Sequence, residues 1–149
     1  MVVKNVYIKN RPATFQYNIE DKLVAGMVLT GSEIKSIRAG KVSFGDSYCF
    51  FHNNELWIKS LHIAEYVNAG YAGHDPVRER KLLLNKKEIK KWQQKIKEKG
   101  LTIVPLSVFI TEKGFAKISI GLGRGKKIFD KRQTVKDREA QRNLKNKEW

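Results

Sequence analysis

Two segments near the end of the chain, "LTIVPLSVFIT" and "AKISIGL", constrain the fold most. Both segments are predicted to be strands, and Glu112, Lys113 and Gly114 between them suit a hairpin turn. Pro105 has no backbone N–H to donate, which favours an edge or a bulge at that point. The residues predicted to share one face of the first strand are Thr102, Val104, Leu106, Val108 and Ile110.

Further strands are predicted upstream. "FQYNI" alternates from Phe15 to Ile19, "VAGMVL" is a second short strand, and residues 1–12 form a short arm before them. "SYCFFHNNELWIKSLHI" has aromatic and β-branched residues on both sides of Asn53 and Asn54, which tolerate a left-handed turn. This segment predicts another hairpin.

Capping boxes predict where two helices begin. In a capping box, the first side chain and a glutamate three residues later satisfy each other's backbone N–H groups. Thr30 with Glu33 predicts a helix over residues 31–39, and Asn85 with Glu88 predicts a second helix through "KKEIKKWQQKIKEK".

The segment "VRERKLLL", which starts at Val77, is also predicted to be helical, with Asp75 as its cap. Three consecutive leucines on a helix cannot all face the same interior. At least one is therefore expected at the surface beside Arg78, Arg80 and Lys81, where it could contact a base or sugar while the cations hold phosphates.

These patterns amount to about six strands and two or three helices, without a strand–helix–strand repeat. The predicted fold class is mainly β, a small antiparallel barrel of oligonucleotide-binding type with two or three accessory helices and a basic C-terminal tail. Residues 1–123 are predicted to be the barrel domain, including the arm, and residues 124–149 to be the tail.

The charge of the chain indicates an anionic partner. Thirty lysines and arginines against fifteen acidic residues give a net charge of +15 over 149 residues, which attracts polyanions such as nucleic acid. The tail carries ten basic and four acidic side chains, a net charge of +6, with few apolar residues. Such a segment is expected to be disordered in isolation and to order on a partner.

The sequence lacks the residues that a disulfide, a metal site or a membrane span would need. The single cysteine, Cys49, excludes an intramolecular disulfide and a zinc site with several thiolates. His52, His62 and His74 have no carboxylate at ligand spacing, so we expect no metal and no cofactor. No apolar run is long enough for a signal peptide or a membrane span. We therefore expect a cytoplasmic protein with no membrane partner and no small-molecule substrate.

The segment "GLGRGKK" is similar to a phosphate-binding loop but fails its spacing. Gly121 to Gly125 spans three residues where the P-loop has four, and Lys127 stands where a hydroxyl would hold the metal. Two interpretations remain open: a flexible exit from the last strand, or glycines that let Arg124, Lys126 and Lys127 approach a phosphate backbone. No serine has a base nearby in the sequence, so we expect no enzyme.

Six blocks in order, "TGSEIKSIRAGK", "DSY", "HDPVRERKLLLNKKEI", "KGLTIVPL", "GLGRGKK" and "FDKRQTVKDRE", resemble the bacterial small protein B family, the SsrA-binding proteins that partner transfer-messenger RNA. The resemblance implies a barrel that binds the tRNA-like domain of this RNA and delivers it to stalled ribosomes for rescue by trans-translation. It implies a tail that enters the empty mRNA channel near the decoding centre, meets 16S rRNA and folds into a helix there. Elongation factor Tu is implied as an indirect partner through the aminoacylated RNA.

The resemblance also assigns residues. Leu83 and Lys117 match family positions used for RNA binding, and "DKR" at residues 130–132 matches a family tail motif. With the residues around them, the expected contacts to transfer-messenger RNA are Lys35, Arg38, Arg78, Arg80, Lys81, Leu83, Asn85 and Lys117. The expected contacts of the tail to the ribosome are Arg124, Lys126, Lys127, Asp130, Lys131, Arg132, Lys136, Arg138 and Arg142.

The chain departs from the family pattern in two places. Val24 stands before Ala25 and Gly26, where the family usually has a glutamate implicated in RNA binding. Phe15 stands two residues before Tyr17, where the family often has histidine. The RNA contact at that end is therefore either lost or made by another group.

Two other functions stay open from the sequence. A ribosomal or RNA-chaperone protein with a barrel and a basic tail would bind rRNA permanently and would sediment with all ribosomes. A small RNA-processing enzyme would need a pair of carboxylates or histidines to activate water, and we find no such pair. For RNA binding that neutralises about six phosphates, affinity should fall with roughly the fourth to fifth power of the salt concentration.

Overall fold

The computed structural model describes residues 6–65 and 74–125 of the chain. This part contains nine strands and three helices. In chain order the elements are β1 Tyr7–Lys9, α1 Arg11–Gln16, β2 Tyr17–Met27, α2 Gly31–Arg38, β3 Val42–Ser43, β4 Tyr48–His52, β5 Glu55–Lys59, β6 His62–Ile63, β7 Arg80–Leu83, α3 Lys86–Lys99, β8 Thr102–Ile110 and β9 Ala116–Gly125.

Seven of these strands form one antiparallel sheet in the order β1-β8-β4-β5-β7-β2-β9. Strand β9 also pairs with β8, so the sheet closes on itself into a ring. The short strands β3 and β6 form a separate pair. The predicted fold class is confirmed: the chain is mainly β, with a small antiparallel barrel and accessory helices.

Both predicted hairpins are present. Strands β4 and β5 pair around Asn53 and Asn54, whose φ angles of 51° and 62° place them in the left-handed region that asparagine tolerates. Strands β8 and β9 pair along most of their length, and Gly114 in their turn has a φ of 88°. The residues of these turns therefore supply the backbone geometry that each connection requires.

The start of the chain differs from the prediction. Residues 7–9 of the predicted arm form β1 and pair with β8, and Phe15 lies in α1. Pro12 sits in the first turn of α1, where its missing N–H has no partner to lose. The strands predicted separately from "FQYNI" and "VAGMVL" are one strand, β2, which is irregular between Ile19 and Asp21.

The predicted helix over "VRERKLLL" is wrong, because residues 80–83 form strand β7. Strand β7 lies between β5 and β2, and Leu82 is opposite both Leu56 and Met27. Its burial alternates with the period of a strand: Arg80 and Leu82 are buried, whereas Leu83 is exposed. Asp75 caps a turn instead of a helix, since its Oδ1 accepts the Val77 N–H at 3.0 Å.

Both predicted capping boxes are confirmed. Thr30 Oγ1 accepts the Glu33 N–H at 3.3 Å at the start of α2, and Asn85 Oδ1 accepts the Glu88 N–H at 2.9 Å at the start of α3. Helix α3 is amphipathic and packs the fully buried Trp92 into the core of the barrel.

The predicted face of β8 is only partly correct, because a bulge lies between Pro105 and Ser107. Beyond the bulge, Val108 and Ile110 belong to the core as expected, but before it the core residue is Ile103. An extra residue in one strand shifts which side chains face the interior. The bulge that Pro105 indicated is therefore confirmed, and it explains the change of face.

Two glycines of "GLGRGKK", Gly121 and Gly123, allow close packing between strands. A Cβ on Gly123 would lie 2.5 Å from the backbone oxygen of Asn18, and one on Gly121 would lie 3.0 Å from Ile19 and from Leu106. Strand β9 continues to Gly125 beside the start of β2, so a flexible exit directly after "AKISIGL" is wrong.

Candidate nucleic-acid interface

Leu83 and Lys117, the two residues matched to RNA-binding positions, lie on either side of Gly26. Gly26 is opposite Leu83 across β2 and β7, and opposite Lys117 across β2 and β9. A Cβ on Gly26 would be 3.5 Å from the Leu83 side chain and 3.7 Å from Lys117 Nζ. Leu83 is 51% exposed although it is a large apolar side chain. The sheet thus places an apolar side chain and an ammonium side by side at the surface.

A groove of about 200 Å³ extends from these residues toward the β8–β9 turn and α2. Phe115, which is 62% exposed, and Ile34 of α2 also line it. The Arg38 guanidinium lies nearby, 3.5 Å from the position that a Cβ on Gly114 would occupy. We refer to Arg38, Leu83, Phe115 and Lys117 together as the Leu83–Lys117 surface. It offers two cations beside two exposed apolar side chains, a combination that suits phosphates next to bases.

Arg80 has a different role from the predicted one. Its side chain is fully buried and forms an ion pair with the equally buried Glu33. It also donates to the carbonyl oxygens of Leu61 at 2.8 Å and Pro76 at 3.0 Å. Arg80 therefore has no exposed atom to offer to RNA, and the expected contact from its guanidinium is corrected to an internal one.

Glu33 also binds Arg78, whose Nη2 donates to Glu33 Oε1 at 2.6 Å. Burial raises the pKa of Glu33, but the hydrogen bonds from Arg78, the Thr30 backbone and Arg80 outweigh it and hold this pKa below its ordinary value of 4.5. Burial lowers the pKa of Arg80 and Glu33 opposes that effect, yet a guanidinium stays charged at physiological pH. This ion cluster ties α2 to β7.

His74 belongs to the same structural region. Its Nε2 lies 2.9 Å from the carbonyl oxygen of Ile63, and its Nδ1 lies 2.6 Å from the Ser32 hydroxyl. Because a carbonyl only accepts, Nε2 donates its proton to Ile63, while Nδ1 is hydrogen-bonded to the Ser32 hydroxyl. No group of three or more potential metal ligands exists among the described residues.

The other expected RNA contacts of the barrel occupy varied positions. Lys81 forms an ion pair with Glu55, Asn85 is the N-cap of α3, and Lys35 is half-buried on α2. These three side chains are not gathered into the Leu83–Lys117 surface. Arg78 is part-exposed but directed to Glu33.

Val24 lies on the same outer side of β2 as Gly26, two residues earlier, and is 54% exposed. It continues the exposed apolar character of Leu83 and offers no charge. The position where relatives of the resembled family usually carry glutamate is therefore a neutral, apolar part of the surface in this chain.

Of the expected tail residues, only Arg124 lies within the described part of the chain. It is exposed near the end of β9, opposite Asn18. It lies seven positions after Lys117 along the strand, about 23 Å at the usual rise. The others lie outside the described residues: Lys126, Lys127, Asp130, Lys131, Arg132, Lys136, Arg138 and Arg142.

Phe115 was not among the candidates predicted from the sequence. An exposed aromatic residue directly after a turn glycine is a weak signal by itself, because such residues also occur singly on ordinary surfaces. Its position beside Leu83 depends on the pairing of β9 with β2 and of β2 with β7. The local sequence contains none of that information.

In the described residues, no helix is long and apolar enough to cross a membrane.

Comparison with known proteins gives a consistent result. The family model of the SmpB protein matches residues 7–148. An SsrA-binding protein of Bacteroides thetaiotaomicron is 51% identical over 140 residues, which cover 94% of this chain and 93% of the relative. The SsrA-binding protein of Flavobacterium psychrophilum is 51% identical over 143 residues, with coverage of 96% and 95%.

A solved structure is also similar. Its description reads "tmRNA-SmpB: a journey to the center of the bacterial ribosome", and the matching chain is 44% identical with a TM-score of 0.71. The alignment covers 87% of this chain and 94% of that one. Since the family model, the relatives and the fold agree over nearly the whole length, the chain belongs to the SmpB protein family.

Proposed function

We propose that this chain binds the tRNA-like domain of transfer-messenger RNA through the Leu83–Lys117 surface and delivers that RNA to stalled ribosomes for trans-translation. The observation that carries the proposal is the placement of Leu83 and Lys117 on either side of Gly26 in a member of the SmpB family. Similar proteins named SsrA-binding proteins, and a similar chain from tmRNA–SmpB work on the ribosome, support it.

The physical roles follow from the side chains. Lys117 and Arg38 neutralise phosphates, while Leu83 and Phe115 pack against an unstacked base or a sugar. Gly26 leaves the gap between Leu83 and Lys117 flat, so a ribose or base can approach the backbone. Arg80 and Glu33 fix the position of β7, and hence of Leu83, without touching RNA.

The partners are transfer-messenger RNA, the ribosome and, through the aminoacylated RNA, elongation factor Tu. The role is binding in the cytoplasm, with no covalent step by this chain. Incubating the purified protein with RNA and magnesium and then separating the products on a gel tests the last point. RNA of unchanged length is expected, and defined cleavage products would contradict a binding-only role.

Two substitutions test the RNA surface. Lys117→Ala should weaken binding of the tRNA-like domain about tenfold and reduce the slope of log affinity against log salt by about 0.7 to 0.9, because one phosphate contact is lost. Leu83→Ser should weaken binding with little change in that slope, because Leu83 carries no charge. Filter binding at several salt concentrations measures both quantities.

The matched control is Lys90→Ala, which removes an exposed lysine from α3. It should bind like the original protein. Binding by Lys117→Ala that equals the control, in affinity and in slope, would place the RNA elsewhere on the molecule.

For the tail we infer a separate task, occupation of the empty mRNA channel near the decoding centre beside 16S rRNA. Its net charge of +6 over residues 124–149 suits a channel lined by RNA. The expected ribosome contacts are those named from the sequence, with Asp130 orienting its neighbours or capping the helix that forms there.

Replacing both Lys131 and Arg132 by alanine tests this division of labour. We expect nearly unchanged binding of the tRNA-like domain, because the barrel is intact, and loss of peptide tagging on stalled ribosomes in a reconstituted translation system. If the double variant lost RNA affinity and tagging in proportion, the tail would be part of the same RNA site.

A further inference from the structure

A second open groove, of about 480 Å³, lies where β1, β8, β9 and β2 run side by side. We call it the Tyr7 groove and define it by Tyr7, Lys9, Lys22, Ser107 and Ser119. None of these five residues was among the sequence-based candidates. The question is what kind of molecule such a lining would hold.

The groove continues the Leu83–Lys117 surface across the sheet. Lys117 is opposite Phe109 on β8, and Phe109 is opposite Tyr7 on β1, so these residues share a face with Leu83. The Tyr7 and Phe109 rings stack with their centroids 6.0 Å apart. Two strand spacings, about 10 Å, therefore separate Lys117 from an exposed aromatic ring.

The next row of residues forms the bed of the groove. Lys9 is opposite Ser107, Ser107 is opposite Ser119, and Ser119 is opposite Val24. Lys22, two residues before Val24, points to the same side. The two rows are adjacent on one continuous face that crosses from β7 to β1.

The shape of the groove depends on local irregularities of the strands. Strand β8 bulges at Leu106, and β2 is irregular after Ile19. The side chains of Leu106 and Ile19 both pack against Gly121, where an added Cβ would lie 3.0 Å from each of them. The bulges bend the strands and leave a concave surface beside this contact.

The chemistry of the lining favours a ligand that is both anionic and aromatic. Lys9 and Lys22 are exposed cations, and Tyr7 is 63% exposed. The nearest acids of β2 are held elsewhere: Asp21 accepts from the Trp92 indole at 3.0 Å, on the side of α3. None of the described residues that line the groove is acidic.

Ser107 is a buried polar residue of the groove lining that could pair with a ligand. It is only 1% exposed, and its hydroxyl has no hydrogen-bond partner among the described residues. A buried hydroxyl without a partner costs about 1–3 kcal/mol, so such groups are normally satisfied. A base edge or a sugar hydroxyl in the groove would satisfy it.

We propose that the Tyr7 groove holds an unpaired nucleotide of the RNA bound at the Leu83–Lys117 surface, with the base on Tyr7, its edge at Ser107, and flanking phosphates at Lys9 and Lys22. This rests on the proposed function. It extends the RNA contact to a row of strands that the family resemblance did not assign.

Separate variants test the stacking and charge contributions in the full-length chain with transfer-messenger RNA. Tyr7→Ala should weaken binding about five- to a hundredfold, the range for loss of one base–aromatic stack, whereas Tyr7→Phe should bind normally. The double variant Lys9→Glu with Lys22→Glu should lower the magnitude of the salt slope by about 1.5. Competition filter binding measures the RNA affinity of each variant. Thermal melting curves that match the original protein show that the variants are folded.

The charge control is Lys90→Glu with Lys97→Glu, two exposed lysines of α3, which change the net charge equally. Normal binding by Tyr7→Ala and by the Lys9/Lys22 variant, with weak binding by Lys117→Ala, would overturn the groove and leave the proposed function intact. Loss that is specific to ribosome binding, with tmRNA affinity unchanged, would also overturn it. Absence of RNA binding by the unmodified chain would instead refute the proposed function.

Discussion

Glu33 is a buried carboxylate that joins the start of α2 to two arginines. Its carboxylate accepts the N–H of Thr30, the N-cap of α2, and binds both Arg78 and the buried Arg80. Removal of one partner from a buried ion pair leaves the other charge without compensation, which typically costs 3–5 kcal/mol. Leu83 of the Leu83–Lys117 surface lies three residues after Arg80 in the same strand.

Glu33→Gln should therefore lower the free energy of unfolding by about 3 kcal/mol or more, because Arg80 stays charged and buried. Urea denaturation followed by circular dichroism measures this change. Glu112→Gln, at an exposed position of the β8–β9 turn, is the matched control and should change stability by less than about 0.5 kcal/mol. Equal effects of the two substitutions would show that the ion cluster contributes nothing special.

The same carboxylate predicts the pH dependence of stability. The pKa of Glu33 is held below its ordinary value of 4.5, and the pKa of Asp21 is held below 3.8 because hydrogen bonds from Trp92, Lys22 and Lys95 outweigh burial. A depressed pKa in the folded state stabilises the fold above the unfolded pKa, and this contribution is lost as the pH falls through the folded value. The free energy of unfolding should thus be level above about pH 5 and fall below about pH 4.5.

Urea midpoints measured from pH 7 to pH 3 check this expectation. The Glu33→Gln variant should show a shallower decrease in that range, because it lacks one of the two carboxylates whose lowered pKa is described above. An acid decrease that is identical in the variant would assign the titration to other groups.

Substitution by alanine should have different effects on stability at two glycines of the barrel, Gly26 and Gly123. Gly26→Ala brings a methyl group to ordinary contact distance, 3.5 Å from Leu83, whereas Gly123→Ala brings one to 2.5 Å from the Asn18 carbonyl oxygen. We expect a stability change within about 0.5 kcal/mol for Gly26→Ala and a loss of more than about 1 kcal/mol for Gly123→Ala. Thermal melting of the two variants side by side measures the difference.

At the level of helices and strands, the sequence predicted the features that depend on neighbouring residues in the chain, namely helix starts and hairpin turns. The capping boxes at Thr30 and Asn85 fixed the starts of α2 and α3, and the Asn53–Asn54 and Gly114 turns fixed two hairpins. The helix prediction for "VRERKLLL" was wrong because the extended form of this segment depends on its contacts with other strands. Only two neighbouring strands, with Leu56 and Met27 opposite Leu82, make the extended form favourable there.

The cap of α3 gives a prediction at this scale. Asn85→Ala should lower the free energy of unfolding by about 1 kcal/mol, because the Glu88 N–H loses its acceptor, while Asn85→Ser should retain most of the stability. Urea denaturation of both variants checks this. If RNA affinity also falls in Asn85→Ala but not in Asn85→Ser, the cap supports the adjacent Leu83 indirectly.

At the level of the whole molecule, the candidate site arises from register. Leu83, Lys117 and Tyr7 are far apart in sequence and become neighbours because four pairings place Leu83, Gly26, Lys117, Phe109 and Tyr7 opposite one another in one row. No local pattern encodes such a row. The family resemblance supplied Leu83 and Lys117, but Phe115 and the Tyr7 groove required the assembled barrel.

The β4–β8 junction of the ring is short, since these strands are matched at a single pair, Cys49 opposite Ile103. Cys49 is the only cysteine of the chain, it is buried, and burial raises the pKa of its thiol. Alkylation of this thiol should be much slower than that of a free cysteine in the folded protein, and its rate should report how often the junction opens. Labelling by iodoacetamide, followed by mass spectrometry with and without RNA, measures this rate. The alkylation rate of Cys49 therefore measures local opening of the barrel. An RNA that binds strands on both sides of β9 should lower this rate.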